Sequence, residues 1–367
     1  MKLFLVPLLA LGASAIQHYP STIAHSPLVG RVKESRSCRL MGNAQWLMAN
    51  SCFQPTQLRY EDSRISMACA YSIVVYGEGE SKLAAAVTAA FDEVDRIDRL
   101  MSHYKPESPL SQLNRKATNE AIKVEPELFD FIAECLRYSR ESNGAFDITV
   151  GPLLKAWGFF RGEGRMPKPS ELVEARAKVG WQHVILDNKE KTIRFDRQGV
   201  ELDLGGIAKG YAVDKAVEVL KQHGIQRALV SACGSTIYGL GAPPGEDAWE
   251  VKLRDPVSSQ KTAMTVRLKN RALSVSGSYE KFFDLGGKRY SHIFDPRTGW
   301  PVQDILSVAV LTDTGTAGDA LDNVFYVLGA QKSQSVSARF RPVEVFFFLP
   351  DKVRKAVAGW KQVRLQR

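Results

Sequence analysis

The sequence predicts an α+β fold in which mixed, largely antiparallel strands pack against several helices. Short apolar runs recur at hairpin distance, mainly in the second half of the chain, and stretches with apolar residues at helical spacing lie among them. The two patterns do not alternate in the strict strand–helix–strand order of a doubly wound sheet. With 367 residues, 44% hydrophobic and 24% charged, the chain has ordinary globular composition and can bury a sizeable core.

The first 15 residues have the pattern of a secretory signal peptide. Lys2 precedes an apolar run at 3–11, and the small residues 13–15 follow as a cleavage site. The run is short for a helix that spans a bilayer, and the nearest cysteine that could carry a lipid, Cys38, lies far downstream. We therefore expect an exported, periplasmic protein that is soluble after cleavage, with a membrane-anchored form as the alternative.

Residues 16–58 have weak periodicity and a mixture of serine, proline, asparagine and glutamine, which is typical of a linker or a poorly ordered arm. The folded domain is predicted to occupy 59–367. Its predicted elements are a strand at 65–75, a helix over 83–100, a polar loop at 102–123, a helix over 126–144, a hairpin at 184–186 and 192–195, a strand entering 201–204, a helix over 209–223, short strands at 228–230, 237–240, 249–253, 264–268, 272–275 and 307–311, and a helix over 317–328.

The net charge of +9 does not indicate a nucleic-acid partner. Lysine and arginine are scattered along the chain, and no basic run is interleaved with aromatic residues as on an RNA-binding surface. The excess positive charge suits an anionic cofactor or peripheral proximity to membrane headgroups.

The cysteines are five in number and lack the spacing of a zinc site: Cys38, Cys52, Cys69, Cys135 and Cys233. They allow at most two disulfides, and buried free thiols are the simplest interpretation. Cys135 fits that interpretation because it falls on the apolar face of the helix predicted over 126–144.

The segment 201–214 carries the most specific signal in the chain. A short apolar-alternating run enters Gly205 and Gly206 and leads directly into an amphipathic helix. Glycines allow close approach of a ligand, while the free N–H groups and the positive end of the helix dipole favour a phosphate. Lys209 adds a mobile positive charge. The alternative is a tight turn without a ligand.

Four polar segments recur at the ends of predicted elements. The loop at 101–114 has an aromatic residue, serines and an asparagine, and Asp147 interrupts an otherwise apolar run at 144–152 that resembles a strand. A carboxylate there needs a hydrogen-bond donor or a ligand. A third segment combines 276–279 with 290–299. His292 precedes a turn, and Asp319 and Asn323 lie four residues apart, so that both oxygens face one side of a helix, as two ligands of a hard cation would. The alternatives are caps, a histidine bonded to backbone, and an aspartate favoured by the helix dipole.

Together these segments resemble a known family in order and spacing. The residues that carry the resemblance to the FAD:protein FMN transferase (ApbE) family are Tyr104 with Ser111 and Asn114, the runs 144–151, 203–212 and 292–299, and Asp319 with the two residues after it. The resemblance covers about residue 60 to the C-terminus and implies an ApbE-like (T-fold-like) architecture.

The resemblance implies an activity and a role for each site residue. The family transfers the FMN part of FAD to a threonine or serine hydroxyl of an acceptor protein, with Mg²⁺ at the pyrophosphate and AMP released. Membrane-bound redox subunits are its expected acceptors. His292 would be the general base. The metal ligands would be Gly206, through its carbonyl, with Asp319 and Asn323. The residues that would contact FAD are Met67, Tyr104, Ala145, Phe146, Asp147, Asp203, Lys209 and Ile293.

Three departures from the family pattern leave other functions open. Asn323 stands where the family usually has threonine, the run 231–236 replaces an asparagine followed by paired glycines, and the run 67–69 replaces a more usual Met-Gly-Thr. An FAD pyrophosphatase that yields FMN and AMP would use the same metal, and a non-catalytic flavin-binding protein would need no transfer step.

Overall fold

The computed structural model describes residues 57–162, 164–258, 260–357, 359–360 and 364–365. The predicted signal peptide, the predicted arm up to residue 56, Cys38 and Cys52 lie outside the described residues. None of the described helices is both long enough and apolar enough to cross a bilayer.

The described residues form seven α-helices, two of which are 22 residues long. Their bounds are α1 (Glu80–Met101), α2 (Pro109–Lys116), α3 (Pro126–Glu141), α4 (Gly151–Ala156), α5 (Pro169–Arg176), α6 (Ala208–Gln222) and α7 (Gly315–Val336). The apolar spacing that predicted α1 places Leu83, Val87 and Phe91 on its buried face. In α7 the backbone at Gly329 is not helical, which divides the element close to the predicted end at residue 328.

The strands are mostly short. Their bounds are β1 (Leu58–Ser66), β2 (Cys69–Gly77), β3 (Ile122–Lys123), β4 (Val184–Asp187), β5 (Thr192–Phe195), β6 (Arg227–Ala232), β7 (Thr236–Leu240), β8 (Trp249–Arg254), β9 (Thr262–Leu268), β10 (Arg271–Gly277), β11 (Phe282–Leu285), β12 (Lys288–Ser291), β13 (Phe294–Asp295), β14 (Trp300–Pro301), β15 (Ser307–Thr312), β16 (Glu344–Phe348), β17 (Arg354–Val357) and β18 (Arg364–Leu365).

Eight of these strands form a central antiparallel sheet in the order β1-β2-β6-β7-β10-β15-β16-β17. Side chains alternate between its two faces. In β15, Val308 and Val310 belong to the core beneath α1, α6 and α7, whereas Ala309 and Leu311 belong to a second core against the sheet β18-β9-β8. The prediction of an α+β fold with largely antiparallel strands is confirmed.

The structure corrects the prediction of one strand over 65–75. Two strands, β1 and β2, form a hairpin there, with a turn at Met67 and Ala68. Both turn residues have left-handed backbone, with φ of 51° and 54°. The turn lacks glycine, asparagine or proline, so its sequence has no turn signal.

Three further local predictions are wrong. The loop predicted at 102–123 contains α2, which begins after Ser108; the Ser108 side chain accepts the Ser111 N–H. The run 144–151 is not a strand, because the Asp147 carboxylate accepts both the N–H and the hydroxyl of Thr149 and bends the chain. The strand predicted at 201–204 is not formed either, because this segment pairs with none of the described strands.

The cysteines divide between two states. Cys69 and Cys233 form a disulfide, so the free-thiol interpretation is wrong for this pair. Cys135 is a free, buried thiol on α3, as its position on the apolar face predicts.

Candidate active site

A cavity of about 650 Å³ opens where α6, α7 and the ends of the central strands meet. Its size is within the range of small-molecule and cofactor sites. Every site residue predicted from the sequence lines it: Met67, Tyr104, Ala145, Phe146, Asp147, Asp203, Gly206, Lys209, His292, Ile293, Asp319 and Asn323. The fold therefore brings together residues that are separated by more than 250 positions in the chain.

The segment 201–206 is held at the cavity by side-chain hydrogen bonds. The Asn114 amide donates to the Leu202 carbonyl at 2.9 Å, and its oxygen accepts the Leu202 N–H at 2.8 Å. Asp203 accepts the Gly205 N–H at 2.7 Å. A Cβ at residue 205 would lie 2.9 Å from that Asp203 oxygen, so a larger residue there would displace the carboxylate that holds the turn.

The start of α6 is joined to the start of α7 by two carboxylates. Asp319 on α7 accepts the Gly210 N–H at 2.8 Å. Asp214 on α6 accepts the N–H groups of Gly315 and Thr316 at 2.6 and 2.8 Å and so caps α7. These three hydrogen bonds fix Asp319 against the turn that carries Lys209.

Three carboxyl groups, of which Asp319 and Asp322 are buried, act on the Lys209 ammonium. Burial by itself would lower the pKa of Lys209, but Asp319, Glu280 and Asp322 together raise it, so the side chain stays charged. Burial raises the pKa of Asp319, against the opposing effect of Lys209. Burial and the neighbouring Asp319 raise the pKa of Asp322 well above its usual range. Burial thus favours the protonated forms of Asp319 and Asp322, and a cation bound beside them would favour their ionised forms instead.

Asn323 occupies the space between the predicted metal ligands. Its amide nitrogen donates to the carbonyls of Gly206 and Asp319, at 3.1 and 2.8 Å, and to the Asp322 carboxylate at 3.0 Å. If the amide rotated, its oxygen would face these three acceptors, an arrangement that only a cation between them would stabilise.

This donor set fits Mg²⁺, which prefers carboxylate, carbonyl and amide oxygens. In the ranges that the structure describes, no three His, Cys, Asp or Glu side chains are arranged to hold a metal. A site built from one carboxylate with carbonyl and amide oxygens does not need such a cluster.

His292 has one ring nitrogen committed to the backbone. Its Nδ1 lies 3.1 Å from the Lys281 carbonyl, which can only accept a hydrogen bond, so Nδ1 carries the proton and Nε2 is left as an acceptor. Burial, together with the positive charges of Lys209 and Lys281, lowers the pKa of His292 to about 4. The ring is therefore neutral at pH 7 and able to accept a proton.

His103 and Tyr104 line another wall of the cavity and stack with Phe160. The rings of Tyr104 and Phe160 lie 5.0 Å apart and nearly parallel, at 10°, and His103 packs against both. Burial and the Asp203 charge raise the pKa of Tyr104 to about 12, so its hydroxyl is protonated. Planar rings of this kind provide stacking surface for a base or a flavin.

Asp147 lines the cavity but uses its carboxylate on the protein. One oxygen accepts from Thr149 and the other accepts the Trp181 N–H at 2.8 Å. Ala145, Phe146 and Ile293 are buried apolar residues beside it. These residues shape the wall rather than offering charge to a ligand.

Sequence reasoning missed several polar residues of the cavity, and His103 and Glu280 are two of them. His103 lies with Nδ1 3.4 Å from Asp203, and its buried Nε2 has no hydrogen-bond partner among the described residues. Its adjacency to Tyr104 in the polar loop was the available signal. Glu280 follows the polar segment 276–279 directly, but its place in the cavity wall near Lys209 depends on the tertiary structure.

Comparison with known proteins places this geometry in a family. The profile of the ApbE family matches residues 67–347. The chain is 34% identical over 295 residues to the FAD:protein FMN transferase of Treponema pallidum, covering 75% of this chain and 81% of that protein. It is 32% identical over 280 residues to the enzyme of the same name from Salmonella typhimurium, covering 75% and 80%.

Solved structures agree with the sequence relatives. The ApbE protein of Thermotoga maritima superimposes with a TM-score of 0.76 at 29% identity, covering 82% of this chain and 97% of that one. The flavin transferase ApbE of Vibrio cholerae gives a TM-score of 0.74 at 27% identity, covering 82% and 98%. On the profile match and these relatives, the chain belongs to the ApbE family.

Proposed function

We propose that this protein transfers the FMN part of FAD to a threonine or serine hydroxyl of an acceptor protein and releases AMP. The observation that carries the proposal is the convergence of a neutral histidine, a charged lysine and a buried carboxylate cluster on one cavity. The names of the Treponema pallidum and Salmonella typhimurium relatives support transfer of FMN from FAD to a protein.

The transfer breaks one phosphoanhydride bond and forms one phosphoester bond. The acceptor oxygen attacks the phosphorus of the FMN half, and AMP leaves with the bridging oxygen. His292 Nε2 receives the hydroxyl proton, and Lys209 stabilises negative charge on the phosphate oxygens. Asp203, Gly205 and Asn114 hold the turn that positions the pyrophosphate.

Mg²⁺ would be held by Asp319, the Gly206 carbonyl and the Asn323 amide oxygen. Bound there, it would neutralise charge on the pyrophosphate. The oxygen atoms gathered around the Asn323 amide support this assignment: the Gly206 and Asp319 carbonyls and the Asp322 carboxylate. The Asp319 carboxylate is already oriented by the Gly210 N–H, so little rearrangement of α7 is required.

Export to the periplasm remains part of the proposal. The signal-like pattern of residues 1–15 supports it, and so does the Cys69–Cys233 disulfide, because disulfides persist mainly in oxidising compartments. A membrane-bound redox subunit with an exposed threonine is the proposed acceptor, which would place the enzyme close to the membrane surface.

One incubation separates the transferase from the alternatives. Purified protein is mixed with FAD, Mg²⁺ and a threonine-bearing acceptor domain, and covalent flavin fluorescence on a denaturing gel and free AMP are measured. Labelled acceptor with equimolar AMP supports the transferase. FMN and AMP without label would indicate a pyrophosphatase, and unchanged bound FAD would indicate a flavin carrier.

A further inference from the structure

The Cys69–Cys233 disulfide lies at the edge of the cavity. It joins residues 164 positions apart and connects two neighbouring turns at one end of the central sheet. Cys69 is the first residue of β2, directly after the Met67–Ala68 turn, and Cys233 lies between β6 and β7. The Cys233 N–H also donates to the Ala70 carbonyl at 2.9 Å, which brings the two turns into contact.

Both turns contain residues other than glycine in a left-handed backbone conformation that such residues resist. Met67, Ala68 and Cys233 have φ of 51°, 54° and 50°, in the left-handed region that favours glycine. Each side chain there raises the free energy of the turn, so the conformation needs support from the surrounding structure. A covalent link between the two turns supplies such support.

The same two turns form part of the cavity wall. Met67 and Ala68 contribute from one turn, and Ser235 contributes from the other. The Tyr71 hydroxyl donates to the Met67 sulfur at 3.2 Å, and Ser235 accepts the Val275 N–H at 2.7 Å. A shift of either turn would therefore change the surface presented to a ligand.

We propose that the Cys69–Cys233 disulfide is a positioning crosslink for the FAD site, which holds the Met67–Ala68 turn against the bound nucleotide and whose reduction weakens FAD binding. The inference rests on the proposed function, because FAD is the ligand it assigns. Neither cysteine touches a reacting atom, so both act through the turns they hold.

Reduction of this bond is chemically simple. Cys233 is exposed, so a thiolate of dithiothreitol can attack its sulfur. The S–S bond breaks to a mixed disulfide, and the second thiol of the reagent displaces it. Two electrons and two protons pass to the protein, which gains two cysteine thiols, while dithiothreitol becomes a cyclic disulfide. Cys135 is already a free, buried thiol and is not changed.

The test measures FAD affinity by fluorescence titration of the full chain, before and after reduction by dithiothreitol. We expect the dissociation constant to rise about tenfold, equivalent to about 1.4 kcal/mol. The double variant Cys69→Ser/Cys233→Ser should bind FAD as weakly as the reduced protein and should not respond to dithiothreitol. Adding Ala68→Gly to that variant should restore much of the affinity, because glycine adopts a left-handed turn without steric cost.

Reduction of the folded wild-type protein keeps the test valid if the double variant does not fold. If reduction lowers the melting temperature but leaves the FAD dissociation constant within twofold, the crosslink is structural only and the inference is overturned. Two free thiols at Cys69 and Cys233 in protein purified without reductant would also overturn it. If the oxidised protein binds no FAD at all, the proposed function itself fails, which is a separate result.

Discussion

His292 acquires the properties of a proton acceptor from its surroundings. The Lys281 carbonyl fixes the proton on Nδ1, and burial keeps the ring neutral. We expect His292→Ala to lower the rate of flavin transfer by a factor of about 100 to 10,000, the usual contribution of a general base, while FAD still binds. Gel fluorescence of the acceptor measures the first effect, and FAD titration measures the second.

His183 provides a matched control for that variant. Its ring bonds to Asp196 at 2.8 Å, outside the cavity, so His183→Ala should transfer FMN at the wild-type rate. Near-normal labelling by His292→Ala would show that another group, or water, accepts the proton.

The low pKa of His292 predicts an unusual pH dependence. A histidine with an ordinary pKa would lose its basic form as pH falls through about 6.5, but here the neutral form persists until pH approaches 4. We expect kcat/KM for FAD to show no inflection from His292 between pH 7 and pH 5. An inflection near 6.5 that disappears in His292→Ala would contradict this.

The same shift links His292 to folding stability. Because its folded-state pKa is lowered, the unfolded chain binds the proton first, and stability is lost as pH falls from about 6.5 towards 4. The contribution is fully present above pH 6.5. Denaturant unfolding at pH 7 and pH 5 should therefore show a smaller loss of stability in His292→Gln than in the wild type.

Asn323 determines how the site behaves without a cation. In Asn323→Asp an oxygen replaces the N–H that faces the Gly206 and Asp319 carbonyls. We expect a loss of about 1–3 kcal/mol of unfolding free energy in EDTA, because these acceptors lose their donor and negative charge accumulates. Millimolar Mg²⁺ should restore the melting temperature.

The control for that change is Asn188→Asp, at an exposed turn position, which should respond to neither EDTA nor Mg²⁺. If Mg²⁺ leaves the melting temperature of Asn323→Asp unchanged, the assignment of this cluster to a divalent cation is incorrect.

At the scale of elements, the close approach of α6 and α7 positions the lysine and the carboxylate cluster. A Cβ at Gly210 would lie 2.2 Å from the Gly315 carbonyl oxygen and 2.7 Å from the Asp319 Cβ. We expect Gly210→Ala to separate the helices and to lower the unfolding free energy by about 1–3 kcal/mol, as overpacking does. It should also weaken FAD binding, because Asp319 and Lys209 move apart.

Gln222→Ala tests whether any substitution in α6 has this effect. The residue is exposed near the end of the helix, so the change should stay within about 0.5 kcal/mol. Equal destabilisation by both substitutions in denaturant unfolding would remove the special role of the helix contact.

Element predictions succeeded where periodicity was strong and failed at turns. The apolar spacing of α1 and the hairpin of β4 and β5 were predictable because burial imposes periods of 3.6 and 2. The Met67–Ala68 turn was not, because residues without a turn preference occupy it. Asp147 appeared to lie in a strand because neither its local bond to Thr149 nor its long-range bond to Trp181 changes the apolar pattern of the run.

For the whole molecule, the disulfide closes a long loop across the central sheet. In the chain-entropy model, a crosslink between residues 164 apart restricts the unfolded chain by about 5 kcal/mol. We expect reduction to lower the unfolding free energy by about 2–5 kcal/mol, measured by denaturant titration with and without dithiothreitol. If reduction does not change the denaturant concentration at the unfolding midpoint, the unfolded chain is already constrained without the disulfide.

The sequence by itself determined the α+β class, the family and twelve of the residues that line the cavity. Burial produces periodic apolar spacing along the chain, and the family has short motifs, such as the run from Asp203 to Lys209 and the pair Asp319 and Asn323. These motifs are local and the apolar spacing is regular, so both can be recognised from the sequence alone.

Only the tertiary structure decided the chemical state of those residues. The proton position of His292 depends on the Lys281 carbonyl, the charge of Lys209 depends on Glu280 and Asp322, and the Cys69–Cys233 bond depends on adjacent strands. Each is set by distances between groups far apart in the chain. Electrostatic and hydrogen-bond energies depend on those distances and on burial, neither of which is encoded at one position.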